Sequence, residues 1–240
     1  MGTRGLQINI PPKNSDGFTL VELTIALIII TLLSTGLMIG ASAQRENLER
    51  ADAQHQLDNI REALLGFAIA KGRLPCPAKP SLANTETNAG SEDCSQEHGV
   101  VPWVTLSLPE SDPWGNRFSY FAGSSFTGPV TGSVLASFSL VSIGSADVKD
   151  CFKNRPDGSV CGKIAAELPA VVVSHGGKAG GAYQTSGNKL AVSSSGDEGE
   201  NSDADLTFIA HAPSENFDDL VTWIIPTVLK SRMVAVGKLP

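Results

Sequence analysis

The residue with the most chemical potential is a lone carboxylate in an apolar run. Glu22 lies within Phe18–Ile39, whose other polar members are Thr19, Thr24, Thr31, Ser34 and Thr35. A charge at the centre of a membrane helix costs about 2.5–3.5 kcal/mol on insertion scales. Glu22 is therefore expected either to reach the interface near the start of the run or to pair with a positive group. The four cysteines, Cys76, Cys94, Cys151 and Cys161, all follow the run and include no CxxC pair, so a zinc site is not expected. An even count in an exported domain suggests two disulfides, and sequence alone allows three pairings. The sequential one, Cys76–Cys94 and Cys151–Cys161, is favoured because each bond closes one loop rich in Gly, Asn, Ser or Asp. Closing a loop of about 15 residues contributes roughly 3 kcal/mol on the chain-entropy view.

Other reactive side chains form no legible catalytic set. His55, His98, His175 and His211 are scattered and lack HExxH spacing. Ser174-His175-Gly176-Gly177 follows an apolar run but lacks the nucleophile-elbow pattern and an evident acid. The glycines of 176–181 do not match a phosphate loop. Asp197, Glu198, Glu200, Asp203 and Asp205 could surround a calcium ion, although their spacing is not that of an EF-hand; a solvated acidic loop is the competing reading. No other cofactor and no enzymatic activity are expected.

These residues need elements to hold them. About 20 apolar residues suffice to span a bilayer as a helix, and the run from Phe18 meets that length. Arg4 and Lys13 precede it with Asp16 as the one acid, a weak bias toward a cytoplasmic N-terminus. Ala41-Ser42-Ala43 after the run fits a small-x-small cleavage pattern, but the run is long for an ordinary signal. Gly36 and Gly40 have GxxxG spacing, which permits close helix approach and also weakens the helix locally. Beyond the run, Leu48, Ala51, Leu57, Ile60, Leu64 and Phe67 make an amphipathic second half that Gly72 and Pro75 end. One helix over 18–71 would reach on the order of 80 Å.

The remaining sequence is β-like and rich in turn residues. Val100–Leu106, Arg117–Ala122, Val134–Ile143, Ala170–Ser174, Asp205–Ala210 and Leu220–Ile225 read as strands. Residues 176–204 read as a long surface loop with a strand near Lys189–Val192, and Thr227–Val236 as a short helix. The fold class is α+β: a long N-terminal helix, its first half transmembrane, packed through its second half on an antiparallel β-sheet. The 240 residues divide into a leader over 1–17, the helix over 18–71 with its apolar half at 18–40, and a β-rich domain over 73–240. A net charge of -7 and a pI of about 5.1 argue against a nucleic-acid sleeve.

Gly17-Phe18-Thr19-Leu20-Val21-Glu22-Leu23, with a basic leader before it and the apolar run after it, resembles the processing signature of type IV prepilins and type II secretion pseudopilins. The resemblance covers roughly the first 40 residues. It implies cleavage between Gly17 and Phe18 by prepilin peptidase, N-methylation of the Phe18 amine, and a pairing of that amine with Glu22 of a neighbouring subunit. It also implies a protein of the inner membrane, N-terminus cytoplasmic and C-terminal domain periplasmic. Its partners would be other pilin or pseudopilin subunits and an inner-membrane assembly platform. The expected role is structural, in a filament for secretion, adhesion, motility or DNA uptake. The alternatives are a membrane-anchored tip adhesin or ligand-binding module, or a periplasmic enzyme. Asp112-Pro113-Trp114-Gly115-Asn116-Arg117-Phe118-Ser119-Tyr120 resembles the segment where major pseudopilins enter their sheet, and Arg73-Leu74-Pro75-Cys76-Pro77 and Phe217-Asp218-Asp219-Leu220-Val221-Thr222-Trp223 resemble segments of other pilin-like proteins. Some pseudopilins hold calcium in a loop, which is the basis for considering it here.

Overall fold

The computed structural model describes residues 19–153, 160–192 and 196–240, with backbone alone over 33–43. Gly17 and Phe18 lie outside the described residues, and the surroundings of Gly36 and Gly40 are not described. The first element is helix α1, Leu20–Lys71. There follow β1 (His98–Val100), α2 (Trp103–Leu106), β2 (Asn116–Arg117), β3 (Ser119–Ala122), α3 (Ser124–Thr127) and β4 (Ala146–Lys149). The chain then forms β5 (Lys163–Leu168), β6 (Ala170–Ser174), β7 (Tyr183–Gln184), α4 (Asp197–Glu200), β8 (Thr207–Ile209), β9 (Leu220–Trp223) and α5 (Pro226–Ala235). Contacts divide the chain into one unit ending at Asn47 and a second, Leu48–Pro240.

In the first unit, Leu20, Val21, Leu23, Ile25, Leu27, Ile28, Ile29, Ile30 and Leu32 are each more than half exposed. Among the described residues no helix is long and apolar enough to cross a membrane. The run expected to do so, Phe18–Ile39, extends into residues whose side chains are not described.

The second unit is α+β, with the later part of α1 packed on a sheet. Ala53, Leu57, Ile60, Leu64 and Ala68 are buried at spacings of three or four, which puts them on one helical face. That stripe replaces the expected one at its start: Leu48 is 71% exposed and Ala51 is also exposed, because they lie off this face. The stripe meets Phe118, Tyr120, Ala122, Ala170, Val172 and Ile224, and α5 adds Leu229 and Met233. Gly72 ends α1 with φ +76° while its N–H bonds Ala68 O at 2.8 Å. A Cβ there would lie 2.2 Å from Leu135 O, so a residue with a side chain does not fit.

The covered sheet has the order β1-β3-β6-β9 and is antiparallel throughout. Its other face, through Phe121, Val171 and Val173, packs on a second sheet of order β5-β4-β8. There Ala146, Val148, Leu168 and Phe208 complete the core. The β4–β8 pair is parallel, so the expectation of purely antiparallel pairing holds for the first sheet and fails in the second.

Three strand expectations need correction. Val100–Leu106 is strand only to Val100, since Pro102 cannot donate to a ladder and the chain turns into α2. Val134–Ile143 forms no strand; Phe138 is buried against Phe126, while Val134, Leu135, Val141 and Ile143 stay more than half exposed. The strands β4 and β5 were not expected, and the short β7 falls at Tyr183–Gln184, with Lys189 only bridging back to Tyr183.

The structure joins Cys76 to Cys94 and Cys151 to Cys161, and no described cysteine is free. Beside the first bond, Arg73 grips Glu92 through two hydrogen bonds of 2.8 Å. That fixes the loop just past α1.

Leu64 sits at the centre of the helix–sheet contact with no exposure. Leu64→Ala should lower stability by about 2–5 kcal/mol, seen as an earlier midpoint in denaturant titration. Leu48→Ala should move that midpoint by no more than about 0.5 kcal/mol.

Candidate functional site: a capped N-terminal carboxylate and a buried polar cluster

Of the expected processing and assembly residues, Glu22 is described. Thr19 precedes α1 and its Oγ1 accepts the Glu22 N–H at 3.2 Å, while the same hydroxyl donates to Glu22 Oε2 at 3.4 Å. Thr19 thus serves as the N-cap and Glu22 as the third helical residue, a reciprocal arrangement close to a capping box. A carboxylate in the first turn also favours the positive end of the helix dipole. Within the chain Glu22 therefore has this hydroxyl as a partner, which is polar but not charged.

The Asp112–Tyr120 segment is a turn held by its first residue. Asp112 Oδ1 accepts the N–H groups of Trp114 and Asn116 at 3.1 and 2.9 Å. Its Oδ2 accepts the Ser174 hydroxyl at 2.8 Å, which ties the turn to the end of β6. The turn delivers Arg117, which has no exposed surface. Its Nε and Nη2 bond Glu110 Oε1 at 3.0 and 2.8 Å. Nη1 reaches Pro80 O and Leu82 O at 2.9 and 2.7 Å, and Nη2 reaches Thr185 O at 3.0 Å. The guanidinium lies 4.6 Å from the centre of the Trp103 ring.

Strand alternation collects a second group. Ser119 and Phe121 point to one face of the first sheet, as do Val171, Val173 and the next residue of that parity, His175. Asp219 just precedes β9, whose Leu220 pairs with Ser174, so Asp219 arrives beside His175. The Ser119 hydroxyl and His175 Nε2 are 2.8 Å apart. His175 Nδ1 is 3.8 Å from Asp219 Oδ2, and both side chains have no exposure. Asn201 Nδ2 donates to Asp219 Oδ2 at 2.8 Å and to Ile209 O at 3.0 Å, while its Oδ1 accepts the Ile209 N–H at 2.7 Å. Burial holds His175 neutral, its pKa lowered to about 4, and pushes Asp219 well above the usual carboxylate range.

A serine, a histidine and an aspartate in this order invite comparison with a hydrolytic triad. The Nδ1–Oδ2 gap is too long for a hydrogen bond, and Nδ1 has no bonding partner. Ser119 also lies inside the sheet, paired with Val100 on one side and Val173 on the other, rather than on an exposed turn. The other histidines stay apart. His55 contacts Asn59 at 3.1 Å, His98 lies against Phe121, and His211 stacks on Phe217.

The five acids named for calcium do not converge. Asp197 accepts the Phe152 N–H at 2.7 Å and faces His211 Nε2 at 3.1 Å. Glu200, Asp203 and Asp205 gather in one place and Glu198 in another, with Asp218 and Asp219. Glu200 rises to about 7, first through burial and then through Asp205 and Asp203. Ser119, Asn201 and the pair Asp218-Asp219 were not singled out as site residues. Two adjacent acids directly before an apolar strand were the available signal, since one of them must face the interior.

Residues 12–38 match the family described as the Prokaryotic N-terminal methylation motif. No curated protein and no solved structure matches the chain.

Breaking the Arg117 cluster should be strongly destabilising. Arg117→Met leaves Glu110 without its cation and three carbonyls without these donors, and should lower stability by about 3–5 kcal/mol. A denaturant midpoint no lower than that of the unaltered protein would show that these loops are held by other contacts.

Proposed function

We propose, from the type IV pilin and pseudopilin signature matched at residues 12–38, that this chain is a prepilin-type subunit that prepilin peptidase processes and that assembles with other pilins. The observation that carries this reading is the signature itself. In this reading residues 1–17 are the leader, 18–71 the helix that anchors and packs the subunit, and 73–240 the exported domain. The role is structural rather than enzymatic. The exposed apolar first part of α1 supports membrane anchoring before assembly, because such a surface must be covered by lipid or by neighbouring helices. Two disulfides support a C-terminal domain in an oxidising compartment, which agrees with a cytoplasmic N-terminus.

Cleavage falls between Gly17 and Phe18, and the new amine is methylated. Intact mass of the protein from its own host should give a chain starting at Phe18 with one added methyl group. A mature start near Gln44 would instead identify an ordinary signal peptide and overturn the proposal.

Glu22 then has two separable duties. Its carboxylate caps α1, and in the filament it attracts the Phe18 amine of a neighbour. Glu22→Gln keeps an oxygen that can accept from Thr19 but removes the charge; Glu22→Ala removes both. If the charge pair governs assembly, both processed variants should fail to crosslink with filament partners while cleavage stays normal. Assembly rescued by Gln would assign Glu22 to helix capping.

A further inference from the structure

We propose that the loop tip at 140–143 of one copy of this chain seats in an apolar groove between α1, β9 and α5 of a second copy. The inference rests on the reading that the chain assembles with other pilins, and it names the surfaces and the partner.

The loop between α3 and β4 presents an uncharged knob. No Asp, Glu, Lys or Arg occurs over 118–146. Val141 is 86% exposed, Ile143 65% and Leu140 47%. The tip is preformed: Ser142 N–H bonds Ser139 O at 3.2 Å, and Ser139 N–H bonds Ser142 Oγ at 3.0 Å. Both of its ends are anchored. Phe138 is buried against Phe126, and Gly144 lies so close to β5 that a Cβ there would be 2.1 Å from Leu168 C. A preformed knob loses little freedom on docking, and its exposed apolar side chains drive it to be covered.

The groove is its complement. It encloses about 490 Å³, and its apolar lining is Leu65, Trp223, Ile224, Ile225 and Val228. The arginines that line it are already paired within the chain, Arg232 with Glu62 at 2.7 Å and Arg61 with Asp58 at 3.1 Å. A surface balanced in this way gives no advantage to a phosphate headgroup or an acidic peptide, and it suits an uncharged occupant.

An open sheet edge gives the groove direction. β9 ends the first sheet, and Ile224 N–H bonds Ala170 O at 3.0 Å. Bonded residues alternate along an antiparallel pair, so Thr222 and Leu220, opposite Val172 and Ser174, are the ones bonded to β6. Val221 and Trp223 therefore turn their N–H and C=O groups away from β6, where no described group bonds them. The backbone of Ile143 also has no bond among the described residues, so the knob brings one donor and one acceptor to that edge.

Placement makes the partner another copy. Val228 and Arg232 line the groove, whereas Lys230, on the opposite side of α5, donates to Leu140 O at 2.8 Å. The tip and the groove of one copy thus flank α5 from opposite sides, and a tip does not reach its own groove. A contact between two unlike surfaces repeats from copy to copy instead of closing as a two-fold dimer, which suits a filament.

The test uses the full chain in its own host, with a photoreactive phenylalanine analogue in place of Ile225 in the groove. Illumination should give a dimer of this chain whose crosslinked peptide includes Val141. Val141→Asp, at a site too exposed to affect folding, should lower the dimer yield by roughly tenfold or more, the loss expected when a central contact is removed. Val228→Lys alone should also lower it, and the two changes together should restore the dimer by pairing their charges. Misfolding caused by either change would not be reversed by the other. A crosslink to a different protein, a dimer joined through another surface, an undiminished yield in Val141→Asp, or no dimer at all overturns the proposal. The pilin reading is judged separately, by the Phe18 start and by the same analogue at Ile28 in α1, which reports assembly whether or not the loop docks.

Discussion

A guanidinium buried away from water must find an acceptor for each of its N–H groups, and at Arg117 that requirement organises much of the second unit. The five donors of an arginine meet five described hydrogen bonds, two to Glu110 and one each to Pro80 O, Leu82 O and Thr185 O. The carbonyls belong to segments far apart in sequence. One lies inside the Cys76–Cys94 loop and another follows β7, so one side chain fixes the positions of both. Burial of a charge is expensive unless every bond is made, which is why such a site specifies one arrangement of its loops.

The geometry around Arg117 propagates in two directions. Toward the helix, the next residue, Phe118, enters the core against Leu57, Ile60 and Leu64. Toward the other face, Ser119 meets His175, and through β6 and β9 the chain reaches Asp219 and Asn201. The sheet therefore has an apolar side closed by α1 and a side whose end is polar. Strand parity keeps the two apart: a register slip of one residue would drive His175 and Asp219 into the helix face. The Asp112–Ser174 bond locks that register by tying the turn before β2 to the end of β6.

How much of this was legible depends on where the signal lay. The helix over 18–71, the strands at Arg117–Ala122, Ala170–Ser174 and Leu220–Ile225 and the helix at Thr227–Val236 carry periodicity and punctuation in adjacent residues, and each has a counterpart in the structure. The strand β5, Lys163–Leu168, does not, because five of its six residues are exposed or half-exposed and Leu168 alone is buried. Val134–Ile143 misled for the opposite reason: its apolar content is high, yet only Ala136 and Phe138 are buried and the rest remains outside the core. The polar cluster was invisible because His175, Asn201 and Asp219 are brought together by pairing and not by spacing. Only Asp218-Asp219, two acids ahead of an apolar strand, left a local trace.

The first part of α1 raises a different question, which burial cannot answer. Nine large apolar side chains between Leu20 and Leu32 are more than half exposed, and fully burying one such side chain contributes roughly 1.5–3 kcal/mol. Cover is therefore demanded, but apolar surface is nondirectional, and lipid or any similar helix would supply it. Direction and register along such a helix have to come from something polar. Glu22 is the one acidic or basic side chain in that described stretch, and it stands in the first turn where the Thr19 cap fixes its position. One carboxylate oxygen meets the cap hydroxyl, and in the proposed filament the carboxylate is the group that would attract a neighbouring subunit's cation. Apolar surface thus supplies the drive to be covered, and a positioned charge is what can distinguish one covering arrangement from its neighbours.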